Sequence, residues 1–466
     1  MNSTQLVQCH IEKILTYLEP LLPLANCHMV DFFTKNIFKN YISPEIRNEI
    51  NSTSHSQVIQ NIFGNNYTGL PVLKQYYESC NSCSLLENAE VCLTLEEFYD
   101  KLKSFGCKNM NGLKLNIFMS QKKSHEVEIL SSIVAALVEL GETTHIIDVG
   151  DGKGYLSSML ALHHKIPVLG IDASPNNSKA AVERVQKLEK IWHSVYDNPK
   201  KSVPKKDDLN RTPSNHLYKQ VTKFVQPDKD FVKNTSDVFE EKIQGVSLAG
   251  LHTCGNLAPT CLKIYNDDAY IRTLSNVGCC YHLLSEKFEC NDSGNSSGFP
   301  MSDYLVRKKF SIGRNARMVA SQSVKRIFDK KELPDMSIFY RALLQVVLEE
   351  KCQKLPDKNV GKTRKKFNKN FTEYVYMALR KLELNVDDLD ITEDYLRNLY
   401  SQYEPRLSEL NIFYLIRSMT SQIIESLIML DRLLFLLEQG HENSFLVRLF
   451  DPVVSPRCYG VISLKC

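Results

Sequence analysis

The sequence lacks an uninterrupted apolar span, a strong charge of either sign and an internal repeat, and each absence removes a class of protein. The longest apolar run, 423–437, is broken by Glu425, Asp431 and Arg432. A membrane-crossing helix needs about 20 nearly uncharged residues, so this run predicts a buried helix and no membrane partner. No basic stretch followed by an apolar core opens the chain, and Glu12 and Lys13 interrupt its only early apolar segment. A secretory leader is therefore not expected, and an intracellular location, cytoplasmic or nuclear, is. The formal charge is only +3 over 466 residues, too little by itself to argue for nucleic acid. Repeats would have meant a solenoid or propeller, and none is visible. The fourteen cysteines include one C-x-x-C, Cys80-Asn81-Ser82-Cys83, in a polar loop with no second pair. No metal is expected there; without a secretory route the cysteines should be mostly reduced thiols, packed as small apolar groups.

What is present suits a soluble chain of two or three domains. Residues 1–115 read as an N-terminal helical region, with Leu6, Val7, Ile11, Ile14, Leu15 and Leu18 at helical spacing. Residues 116–290 change character and form a core. Its first helix carries Val127, Leu130, Ile133, Val134, Leu137 and Leu140 and ends at Gly141, well placed as a helix-terminating glycine. The apolar run His145-Ile146-Ile147-Asp148-Val149 breaks into glycines, a helix follows, and a second run, 166–171, closes on Asp172. That is the strand-helix-strand opening of a parallel sheet. A flexible polar insertion is expected at about 194–235, apart from one short strand within 217–225. Strands are expected at 245–251 and 273–278, a helical insertion with a basic loop at 291–440, and two final strands in 441–466 that complete the sheet as an antiparallel pair at its edge.

Chemistry concentrates where strands end. A ligand at the end of the first strand needs close backbone approach, which glycine allows. Gly150, Gly152 and Gly154 supply it after Asp148, in the pattern G-x-G-x-G. Dinucleotide binders prefer G-x-G-x-x-G, and here Tyr155 holds that third position, which favours a nucleoside ligand without a pyrophosphate. Asp172, 24 residues after Asp148, is placed to accept both ribose hydroxyls.

Two more strand ends face the same crevice: Leu251-His252-Thr253-Cys254-Gly255 and Gly278-Cys279-Cys280-Tyr281-His282. His252, Cys254, Cys280 and His282 suit zinc by type, but H-x-C and C-x-H match no common zinc module. Alternatively, His252 or His282 is a general base and Cys254 or Cys280 a nucleophile. The blander possibility is that the cysteines are small fillers. Lys123 and His125, before the first strand, are further candidates for work at the crevice. The basic segment Lys362, Arg364, Lys365, Lys366 and Lys369, with Phe367 among them, is a candidate for phosphate contact or a solvated loop.

Taken together these motifs resemble the methyltransferase-like protein 25 family. The resemblance is carried by 119–126, 148–156, 250–257, 276–282, Gly298-Phe299-Pro300-Met301-Ser302, 425–432, Leu449-Phe450-Asp451-Pro452 and Ser455-Pro456-Arg457. It implies an α/β fold, a Rossmann-like class I methyltransferase sheet with an N-terminal helical region and a large helical insertion before the last two strands. It implies S-adenosylmethionine as cofactor, with contacts at Gly150, Gly152, Gly154 and Asp172. The His252/Cys254 and Cys280/His282 motifs are also similar to those of a class of tRNA 2′-O-methyltransferases, which makes RNA the leading acceptor by analogy. No Asn-Pro-Pro-aromatic tetrapeptide follows the strand at 245–251, so N6-adenine methylation is not implied. The alternatives are a protein or small-metabolite methyltransferase, or a scaffold that keeps the fold without transfer.

Overall fold

The computed structural model describes residues 2–108, 112–114, 119–197, 217–227, 231–288, 297–356, 360–361 and 370–465. The run His145–Val149 is buried at every position, which a strand exposed on one face would not be. Among the described residues it is the second of eight strands: β1 (Leu93–Thr94), β2 (His145–Val149), β3 (Val168–Asp172), β4 (Tyr218–Thr222), β5 (Val246–Cys254), β6 (Ile271–Cys279), β7 (Ser444–Arg448) and β8 (Tyr459–Leu464). They form one sheet in the order β1-β7-β8-β6-β5-β2-β3-β4. All pairings are parallel except those of β8, which runs antiparallel to both β6 and β7.

This is a mixed α/β fold of Rossmann-like order, with helices before it and a long helical insertion between β6 and β7. From β2 the chain moves outward through β3 and β4, then returns to the other side of β2 as β5 and β6. Right-handed crossovers then place the helices Tyr155–Leu162 and Leu257–Asp267 on opposite faces. The order reverses between β2 and β5, and in open sheets ligands bind outside the strand ends at such a switch point. Ile146, Val149, Leu248, Leu274 and Val461 are at most 1% exposed and form the sheet's core; burying each such side chain stabilises by about 1.5–3 kcal/mol.

The structure differs from the sequence reading in three details. The antiparallel pair β7–β8 is present, but it is not the edge. The two-residue β1 extends the sheet past β7, pairing Leu93 with Val447, so the N-terminal region is not wholly helical. Gly141 follows the helix Gln121–Leu140 but has φ −83°, and it is Glu142 that adopts the left-handed conformation, φ 47°. Gly141 is needed for space instead, since a Cβ there would lie 2.6 Å from Thr273 Cγ2. Finally, Cys80 lies on the helix Pro71–Ser82, not in a loop, and both Cys80 and Cys83 are buried.

Two compact units divide the chain. The first, residues 1–16, 82–323 and 422–466, contains the whole sheet. The second joins 17–81 to 324–421 and is helical. Within it, Phe33 meets Phe339 edge-on at 5.7 Å and Phe32 meets Phe413 at 5.6 Å. Segments far apart in sequence thus share one aromatic core. Of the basic segment, 362–369 lies outside the described residues, as does 198–216 of the polar insertion. Among the described residues no helix is long and apolar enough to cross a membrane.

Candidate functional site

The turn after β2 is built from three glycines that all take left-handed backbone angles: φ is 74° at Gly150, 63° at Gly152 and 68° at Gly154. Any other L-residue would incur about 1–2 kcal/mol at each. Their surroundings differ. A Cβ on Gly154 would lie 3.1 Å from Ala181 Cβ, so that glycine admits the helix Pro175–Asp197. A Cβ on Gly150 would come 3.2 Å from Leu257 Cδ2 and 3.5 Å from the His252 carbonyl. A Cβ on Gly152 would find only the Gly150 carbonyl, at 3.8 Å. Gly152 therefore faces open space, bounded by backbone. Beside it, Asp172 accepts from the Gly152 N–H (3.0 Å), the Ser174 N–H (2.8 Å) and the Asn177 amide (3.1 Å). A carboxylate offers about four lone-pair sites, so one remains for a further donor.

Asp148 does not reach that space. Its carboxyl is buried beneath the turn and accepts from the Ser157 hydroxyl at 2.8 Å. Burial, with Asp151 close by, raises its pKa well above the ordinary carboxylate range, so it keeps a proton and donates it to Asp151. Asp151 also accepts from the Tyr218 hydroxyl at 2.6 Å. The two carboxyls thus tie β2, the turn and β4 together from below. Above them, Tyr155 has the Arg184 guanidinium 4.0 Å from its ring centroid and the Lys123 ammonium at 5.6 Å.

His252 is aimed by an irregularity in β5. Gly250 pairs with Asn276 and Thr253 with Gly278, leaving Leu251 and His252 opposite one residue. Such a bulge bends the strand and redirects a side chain. Gly250 permits it, because a Cβ there would sit 2.5 Å from Thr253 Cγ2 and 3.0 Å from the Val149 carbonyl. His252 Nε2 then lies 3.2 Å from Glu126 Oε2. Glu126 is fully buried, accepts from the Ser455 hydroxyl at 2.7 Å, and has Lys122 and Lys123 each at 3.5 Å. Burial would raise its pKa, but the bonds from His252 and Ser455 and the charges of His252 and Lys123 outweigh that and hold it at about 2. A carboxylate can only accept, so Nε2 carries the hydrogen of that bond. Lys123 is itself shifted down by burial, against the pull of Glu126.

Cys254, Cys279 and Cys280 converge, their sulfurs all within 4.8 Å of one another. Cys254 and Cys279 are register partners on β5 and β6, with sulfurs 3.1 Å apart. A hydrogen bond from Cys279 is the main influence on Cys254 and outweighs burial; with Cys280, His252 and Arg457 it brings the thiol to about 6. Cys279, donor in that bond and buried, is shifted up. His282 does not join them. Its Nδ1 is buried without a hydrogen-bond partner, and burial with the charges of Arg314, Arg457 and Arg317 keeps the ring neutral.

Of the residues singled out from sequence, the fold joins Lys123 and His252 through Glu126, and Cys254 and Cys280 through Cys279. His125 sits apart, its Nε2 accepting from the Asp451 N–H at 3.2 Å. Glu126, Ser455, Cys279 and Arg457 were not singled out one by one. Two signals were available: a glycine interrupting the apolar run at 250, which marks a bulge, and an acid on an otherwise apolar helix face at 126.

A family model described as "Methyltransferase domain" matches residues 122–287. The chain is 30% identical to "Probable methyltransferase-like protein 25" of Mus musculus, with 98% of this chain and 96% of that protein aligned. It is 28% identical to the protein of the same name from Homo sapiens, with 98% and 97% aligned.

Proposed function

Because the chain belongs to the methyltransferase-like protein 25 family, we propose that its methyltransferase domain uses S-adenosylmethionine, held on the Gly150–Gly154 turn, to methylate RNA. The observation that carries the cofactor reading is Gly152: a left-handed glycine whose missing side chain opens space next to a carboxylate with spare acceptor capacity. The residues fit a nucleoside. Gly150 and Gly152 let it approach the backbone, and the remaining acceptor site of Asp172 suits a ribose hydroxyl. S-adenosylmethionine supplies an electrophilic methyl group on a sulfonium, so the protein's work is alignment and proton removal.

His252 is the base. Glu126 holds its Nε2–H and leaves Nδ1 to take the proton of an acceptor hydroxyl or amine, and the buried carboxylate stabilises the imidazolium that forms. Lys123, between Glu126 and the Tyr155 ring, fixes the carboxylate and adds positive charge at the crevice. Arg314 and Arg457, whose charges act on His282, suit phosphate oxygens, which supports a polyanionic acceptor.

The test is calorimetric titration of the purified protein with S-adenosylmethionine and, separately, with NAD. Saturable binding of the first alone is expected; binding of neither, or of NAD, would overturn the cofactor reading. For the acceptor, labelled methyl transfer into cell extract should vanish on ribonuclease treatment. Label that persists in protein or small molecules would remove RNA.

A further inference from the structure

From the convergence of Cys254, Cys279 and Cys280 we infer a zinc site: three thiolates at the ends of β5 and β6, with the fourth position of the ion open to solvent. Each part of the geometry contributes. Thiolates about 2.3 Å from a tetrahedral ion stand about 3.8 Å apart. Here one sulfur pair is at 3.1 Å and all three lie within 4.8 Å of one another, a range that includes that separation. The two strand-end cysteines are brought level by register. The third is brought by strain, since Cys280 has φ 52°, a left-handed angle that costs a non-glycine residue about 1–2 kcal/mol. Strain of this kind persists where the surroundings impose it, often at functional positions.

A disulfide between Cys254 and Cys279 would need only two thiols and would leave the strained placement of Cys280 without a purpose. A metal uses all three. Their combined charge also has partners in place. Arg457 acts on Cys254, while the fully buried Arg432 and the half-buried Lys123 act on Cys279. Gly278 makes room for that arginine, because a Cβ there would overlap Arg432 Nη1 at 2.1 Å. Three thiolates and one divalent ion carry a net −1, which this ring of cations offsets. Cys279 is buried, Cys280 partly so and Cys254 exposed, so the ion's open side is the Cys254 side. Three protein ligands and one open position is the pattern of zinc sites that admit water or a substrate atom. His252 and His282 are not members, so the ligand set differs from the His/Cys set suggested by residue type.

This inference does not rest on methyl transfer, and it is read without S-adenosylmethionine. The full chain is reduced, incubated with Zn²⁺, desalted and assayed for metal by mass spectrometry; Co²⁺ is loaded in parallel and thiolate-to-cobalt charge-transfer absorption recorded. About one equivalent of zinc and that absorption are expected. Cys254→Ser and Cys280→Ser should each weaken zinc binding by roughly 100-fold, no less than loss of an outer-shell contact costs. Cys9→Ser, at an exposed cysteine outside the cluster, should match wild type. Unchanged circular dichroism shows that each variant is folded; because Cys279 is buried within β6, the two other cysteines carry the test. Reduced wild type that retains no zinc, or a Cys254→Ser protein that retains as much, overturns the site. So does a Cys254–Cys279 disulfide in the isolated protein that, once reduced, still takes up no metal.

Discussion

Replacing Gly152 by aspartate separates a residue kept for the fold from one kept for a ligand. Gly152 has φ 63° and nothing but one carbonyl within 4 Å of where a Cβ would stand. The substitution should thus destabilise only through the backbone, by about 1 kcal/mol, since aspartate is among the residues that tolerate this conformation best. Against a typical stability of about 5–15 kcal/mol the variant stays folded. The new carboxylate fills the open space and crowds Asp172, which already sits 3.0 Å from the residue 152 nitrogen. Affinity for S-adenosylmethionine should fall by at least about 100-fold, or about 2.7 kcal/mol. The control is Gly440→Asp. Gly440 also has a left-handed angle, φ 86°, and nothing within 4 Å. It precedes β7, whose first residue pairs with Ser463, the partner of Leu274 near the start of β6, so it lies at the opposite end of the sheet. Both variants should lose similar stability by thermal denaturation, and only Gly152→Asp should lose binding in the calorimeter. Unchanged affinity in a folded Gly152→Asp protein, or an equal loss in the control, would refute the assignment of this turn.

Glu126→Gln should leave S-adenosylmethionine affinity unchanged while lowering methyl-transfer kcat about 100-fold, the low end for losing general base action; a parallel loss of affinity would reassign Glu126 to holding the turn. Asp148→Asn should change stability to urea by less than about 1 kcal/mol, because the native carboxyl is already neutral. Asp148→Ala, which strips partners from Ser157 and Asp151, should cost about 2–3 kcal/mol. Glu425 is raised from 4.5 to about 7, by burial against the pull of Arg457, the Tyr281 hydrogen bond and Arg432. A carboxyl raised on folding favours the folded chain below its unfolded value, and that advantage disappears as pH climbs from 4.5 through 7. Glu425→Gln should therefore gain on wild type by up to about 3 kcal/mol between pH 4.5 and 8 in denaturation experiments; a difference independent of pH would show that Glu425 ionises normally.

The sequence by itself determined the central strand and its turn. A short, mainly apolar run meeting three alternate glycines leaves little freedom: β2 is His145–Val149 as read, and the glycines take the left-handed angles that only they adopt cheaply. Asp172 was legible for the same reason, since its place is set by the length of one strand-helix-strand unit. β8 was readable as a short, mainly apolar segment bounded by turn residues. Tertiary structure decided what depends on neighbours distant in the chain. Glu126 reads in sequence as one acid on a helix, and becomes the partner of His252 only because a bulge in β5 turns that ring toward it. Cys279 looks like apolar filler until register sets it level with Cys254. Periodicity likewise marked helices in 17–81 and 324–421 without revealing that they share one aromatic core. Local pattern records that a face is buried, whereas the identity of what covers it is settled by pairing and packing between segments hundreds of residues apart.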